Sequence, residues 1–182
     1  RFGEMSSAVE TVLGAFGRVD VLINNAGYHK RGSVLGVDAE ELGRMIDVNL
    51  KAPIILSRLA IPMIAESGGG AIINVGSLAG RAPLPGIATY SASKAALDAF
   101  ARALREEWKG KAEVIMLHPG PIRTDMHEKA GLKLGGVRRL FMKPERAARA
   151  IERAIRNDDK SRILTRSYGW RSIFSKAREG EL

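Results

Sequence analysis

The 182-residue chain has no cysteine and only three histidines, His29, His118 and His127, far apart in sequence. The first absence excludes disulfides, thiolate catalysis and cysteine-based zinc sites, and suits a reducing compartment. The second leaves no ligand spacing for a metal. No apolar run reaches the roughly 18 residues that mark a membrane-spanning helix. The opening RFGEMSSAVETVLGAFG has neither the apolar stretch nor the cleavage site of a signal peptide. A cytoplasmic protein is expected.

Runs of like charge are also missing. The net charge is +9, and all of the excess lies in the second half: residues 1–100 carry 9 Lys+Arg and 9 Asp+Glu, and residues 101–182 carry 20 and 11. Such asymmetry suits a polyanion or a membrane surface, but here the basic residues alternate with Glu and Ala at helical spacing, as on a solvated helix face. No aromatic residues interleave with them and no reading helix is visible, so nucleic acid is not expected as a partner.

What is present is an average globular composition, 45% hydrophobic and 27% charged, in a length that suits one domain over 1–182. Met5, Val9, Val12, Leu13 and Phe16 form a helical stripe, and VDVLIN is a short apolar run stopped at NNAG. A long helix is expected over 38–66 with Asp38 as its N-cap. SGGG reads as a flexible connector into the strand AIINV. A Gly/Pro loop, a helix over 91–109, the strand AEVIML, a helix opening at Pro144 and the strand SRILT follow. Strands alternating with helices, without hairpin turns, predict an α/β fold: a parallel sheet with helices on both faces. Ligands of such sheets sit beyond the carboxyl ends of the strands, which directs attention to Asn24–Gly27, Gly76–Ser77 and His118–Met126.

One expected element has no counterpart. No G-x-x-x-G-x-G or G-x-G-x-x-G turn follows a strand, so the usual backbone cradle for a dinucleotide pyrophosphate is not in the sequence.

Tyr90 and Lys94, four apart in YSASK, share one helix face. They suit a helix start capped by Ser91 with a solvated Lys94. They equally suit a phenol whose pKa an ammonium lowers, ready to exchange a proton with a carbonyl or alcohol oxygen. Ser77, just past AIINV, supplies a hydroxyl to hold that oxygen. Asn24 and Asn25 could simply tolerate a turn, Asn49 could be a locally bonded helix residue, and Thr124 with Asp125 could be a cap.

Taken together, NNAG at 24–27, DVNL at 47–50, NVGSLAG at 74–80, YSASK at 90–94 and HPGPIRTDM at 118–126 resemble the short-chain dehydrogenase/reductase family in order and spacing. The resemblance implies a Rossmann-like fold and an NAD- or NADP-dependent oxidoreductase that interconverts an alcohol and a ketone or aldehyde. It implies Tyr90 as the acid/base, Ser77 orienting the reacting oxygen, Lys94 lowering the Tyr90 pKa and holding the nicotinamide ribose, and Asn49 fixing a water behind Lys94. Asn24, Ala26 and Gly27 would line the adenosine side of the cofactor, and Pro119, Gly120, Ile122 and Thr124 the nicotinamide side.

Relative to that family, the first three strands and the phosphate turn have no counterpart. The strand VDVLIN is therefore expected to present an open, associative edge. A piece of a longer enzyme, a truncated reading frame and a homo-oligomer covering the edge all suit this pattern, and the first is favoured. The 182 residues alone could be inactive. The alternative is a non-catalytic scaffold that keeps the family's shape as an interaction module. The family's variable substrate lid corresponds to 127–143, where Leu132, Leu134, Val137, Leu140 and Phe141 suit a hydrophobic substrate or packing. Trp170, Ile173, Phe174 and Ala177 form an amphipathic basic helix over 170–178 that suits packing, or a membrane surface.

Overall fold

The two apolar runs AIINV and EVIMLHP form the centre of the molecule because each can be buried on both faces. The computed structural model describes residues 2–124, 126, 130, 141–156 and 161–164. Its sheet has four parallel strands in the order β1 (Val21–Asn24), β2 (Ala71–Val75), β3 (Glu113–Pro119) and β4 (Ser161–Leu164). Ile72, Val114 and Met116 point to one face and pack with Ala60, Ile61 and Ile64 of α3 (Ala52–Glu66) and with Leu97, Ala101 and Leu104 of α4 (Ala88–Glu107). Ile73, Ile115 and Leu117 point to the other face, against Met142 and Ala147 of the segment that leads into and forms α5 (Pro144–Arg156). Each such aliphatic side chain contributes roughly 1.5–3 kcal/mol on burial.

Helix α1 (Phe2–Phe16) packs on α3. The expected long helix is continuous from α2 (Ala39–Ile46) to Glu66, but its middle, Asp47–Lys51, winds as a π-helix. By length and composition alone this helix could cross a membrane; in the fold it is the core helix beside β1 and β2. Asp38 stands at its N-cap, although its side chain makes no capping hydrogen bond.

The structure departs from two local expectations. SGGG is not a loose connector at its end: Gly70 lies so close to the Asp20 carbonyl that a Cβ there would clash, and Gly70 O accepts from Glu113 N at 2.8 Å. Helix α4 starts at Ala88 with Ile87 as its N-cap, three residues earlier than expected, so Tyr90 lies in its first turn and Ser91 is buried within it rather than capping it. Of the expected lid, Phe141 and Met142 are buried in the domain, while the remaining apolar residues named above lie outside the described residues, as does the 170–178 segment.

Candidate active site

Parallel strands bring their carboxyl ends to one edge of the sheet, and the expected residues gather there. Ser77 follows β2 in extended conformation and caps the 3-10 turn Leu78–Gly80, its Oγ accepting from Ala79 N at 3.1 Å. Gly80 lets that turn rest on α4: a Cβ at Gly80 would stand 2.8 Å from the Lys94 carbonyl carbon. The contact brings the Ser77 hydroxyl toward the Tyr90 phenol, where it works against a rise in the phenol's pKa. Tyr90 is half-buried, its ring 4.3 Å from that of His29.

One turn further along α4, Lys94 is 4% exposed and its Nζ donates to Val75 O, the last carbonyl of β2, at 2.9 Å. Burial pulls its pKa down to about 8. The net direction of the Tyr90 pKa is upward rather than the expected lowering: burial raises it and the Ser77 hydroxyl opposes that rise, while the Lys94 amine is engaged with Val75 O. At neutral pH Tyr90 is a protonated acid.

Asn49, in the π turn, is fully buried and its side chain makes three hydrogen bonds. Oδ1 accepts from Tyr28 N at 2.7 Å, while Nδ2 donates to Tyr28 O at 2.8 Å and to Ser93 Oγ at 3.1 Å. Ser93 in turn donates to the Tyr90 carbonyl at 2.7 Å. Asn49 thus ties the loop after β1 to the helix that carries Tyr90 and Lys94.

The remaining expected positions divide. Gly27 sits beside the centre: a Cβ on it would lie 3.8 Å from Lys94 Nζ, 3.7 Å from Asn49 Oδ1 and 3.4 Å from Met126 Cε. Ala26 is exposed next to it. Asn24 is turned inward, its Nδ2 donating to Asn74 Oδ1 at 3.0 Å and to Ser57 Oγ at 3.3 Å, so its side chain faces the interior rather than the edge. Pro119 ends β3; Gly120 and Ile122 are half-buried and Thr124 is exposed. A bridge between Ile122 and Met142 holds this loop, and Met126 is the residue that reaches Gly27. Sequence reasoning missed Ser93, which looked like an ordinary helix serine, and His29, whose stacking on Tyr90 has no signature in the spacing.

A family model described as short chain dehydrogenase matches residues 1–134. The chain belongs to that family. Among its relatives in the family, an uncharacterized oxidoreductase of Staphylococcus saprophyticus is 32% identical over 168 residues, covering 88% of this chain and 68% of the relative. A ketoacyl reductase of a Nostoc species is 33% identical over 159 residues, 85% of this chain and 54% of that protein. Of solved short-chain dehydrogenases, one from Sphingobium yanoikuyae in complex with NADPH is 29% identical with a TM-score of 0.79, covering 96% of this chain and 69% of that one. One from Streptomyces avermitilis is 26% identical, also with a TM-score of 0.79, covering 99% and 73%. The Rossmann-like architecture of the family is the fold described above. This chain therefore spans about half to seven-tenths of these relatives' lengths.

Proposed function

We propose that this chain carries the catalytic centre of a nicotinamide-dependent oxidoreductase that reduces a carbonyl group or oxidises the matching alcohol. The observation that carries the reading is the convergence, at the carboxyl end of the sheet, of the Ser77 hydroxyl and the half-buried, protonated Tyr90 phenol, on the helix that also carries the buried Lys94. Ser77 and Tyr90 present two hydroxyls to one substrate oxygen; Ser77 orients it and Tyr90 exchanges its proton. Because burial keeps the phenol protonated at neutral pH, donation to a developing alkoxide is the direction these residues favour there.

The residues fit a nicotinamide cofactor. Lys94 makes one hydrogen bond among the described residues, to Val75 O, so its remaining N–H groups can serve ribose hydroxyls. The bare backbone of Gly27 leaves room beside that amine. When bound, the cofactor would supply or accept the hydride. Ala26 and Gly27 would border it on the β1 side, and Pro119, Gly120, Ile122 and Thr124 on the β3 side. The relative in complex with NADPH supports a cofactor of this class, NAD or NADP.

The test pairs cofactor titration with turnover, followed at the nicotinamide absorbance over a panel of ketones and aldehydes. Tyr90→Phe is expected to lower kcat by about a hundred- to ten-thousandfold while leaving cofactor affinity and melting temperature nearly unchanged. Unchanged turnover would remove Tyr90 from its role. Absence of cofactor binding in the intact protein would favour the scaffold reading.

A further inference from the structure

The loop that leaves β1 runs from the Lys94 amine to the Tyr90 ring. Gly27 borders the amine, and His29 lays its imidazole against the phenol ring, 4.3 Å between centroids and tilted by 31°. Tyr28, between them, is fixed by main chain and side chain. Its backbone exchanges two hydrogen bonds with the buried Asn49, its hydroxyl donates to Glu41 on α2, and the Arg44 guanidinium of the same helix lies over its ring at 4.5 Å. Beyond His29 the loop is fastened again, to the segment that leads into Tyr90. There Gly32 N donates to Gly86 O at 2.9 Å, and the Arg31 side chain lies 3.8 Å from where a Cβ on Gly86 would stand. The imidazole is therefore held against the phenol from both sides of the loop.

We propose that His29 is a specificity-determining residue: its ring is a fixed wall of the substrate site and admits only a small carbonyl substituent on its side, so that aldehydes and methyl ketones are accepted and ketones branched on both sides are not. A substrate whose oxygen reaches the Tyr90 hydroxyl must place its two carbonyl substituents next to the phenol, and His29 already covers one side of that ring. Centroids 4.3 Å apart put the two rings in contact, with no layer between them for a carbon chain. The wall acts by shape and not by hydrogen bonding through Nε2, because that nitrogen is buried although the residue as a whole is only half-buried. Its anchorage at Tyr28 and Gly32 gives the shape its effect, since a wall free to swing aside would select nothing.

This inference rests on the proposed function for its kinetic readout, and a binding readout separates the two. The intact protein is compared with His29→Ala, which removes the ring, and with His29→Phe, which keeps a flat ring against Tyr90 without the imidazole nitrogens. The substrates are aldehydes and methyl ketones, each paired with a homologue branched on both sides of the carbonyl. His29→Ala is expected to raise kcat/KM for the branched ketones relative to their small partners by about tenfold or more, and His29→Phe to keep the wild-type ranking. Should His29→Ala fail to fold, Tyr28→Ala releases the wall from α2 while keeping the main-chain bonds to Asn49, and is expected to relax the ranking in the same direction. Independently of turnover, the Cε1 proton of His29 is assigned as the NMR signal missing from His29→Phe. A methyl ketone should shift that signal at concentrations at which its branched homologue does not. Such a shift without turnover would leave the wall standing and remove the reaction. An unchanged ranking in the folded alanine variant, a phenylalanine variant that behaves like it, or a His29 signal that no ketone moves overturns the proposal.

Discussion

At the residue scale, Lys94 is the group whose surroundings were least visible in the sequence. The spacing in YSASK places it on the Tyr90 face of a helix, but only the tertiary packing buries it and turns its amine to Val75 O. Its pKa falls from 10.5 to about 8 because the charged form is desolvated. Between those two values the unfolded chain binds more protons than the folded one, so folding stability gains as pH rises through that window; below about pH 8 the full cost, of order 3 kcal/mol, is present. The melting temperature of the wild type should therefore rise relative to Lys94→Met between pH 8 and 10, and run parallel to it below pH 8, as thermal scans at several pH values would show. In the same free protein, kcat/KM for carbonyl reduction should be level up to about pH 8 and decline above it, as the ammonium loses its proton. A pH profile without that limb would mean that the charge on Lys94 does not matter to the reaction.

At the scale of elements, two glycines in different settings make opposite predictions. Gly80 presses its Cα against the backbone of α4 at Lys94, so Gly80→Ala must push the Ser77 turn away from Tyr90. Its expected result is a fall in kcat of about a hundredfold together with a lower melting temperature. Gly14, within α1, has open space around it; Gly14→Ala should raise stability by up to about 1 kcal/mol and leave turnover unchanged, which a denaturant titration and a rate assay check. The elements themselves were largely legible. The helices and strands lie where the sequence placed them, and β2 and β3 bury their apolar runs on both faces, whereas Val12 and Phe16 of α1 and Val21 and Ile23 of β1 stay exposed. The π turn was not legible: DVNLK has ordinary helical composition, and a shift of one hydrogen-bond partner leaves no mark on side-chain spacing. Nor was the early start of α4, since Ile87 has no capping side chain and only the packing of the preceding loop sets the boundary.

At the scale of the whole molecule, the sheet formed by the described residues is sealed in the middle and open at β1. Ile23 is 47% exposed although its register partner on β2, Ile73, is fully buried, and Val21 and Phe16 are exposed with it. Ile23→Thr should therefore change stability by less than about 0.5 kcal/mol and reduce concentration-dependent association of the 182-residue chain. Ile73→Thr should cost about 2–4 kcal/mol. Denaturation curves and sedimentation would separate these outcomes. That openness was foreseen from the strand order of the resembled family, which also supplied Asn49, whereas the alternation of strands and helices pointed to the strand end that carries Ser77, and the spacing of YSASK paired Tyr90 with Lys94. What neither could foresee is the polar support from Ser93, because a serine is ordinary on a helix and gains meaning only from what it touches. The central claim is that Ser77 and Tyr90 act on one oxygen as a unit. It is tested most directly by a double-mutant cycle in kcat/KM on the intact protein, with Ser77→Ala, Tyr90→Phe and both together. The account predicts that the double variant is no more than about threefold slower than Tyr90→Phe alone; losses that multiply would show that the two hydroxyls work independently and contradict it.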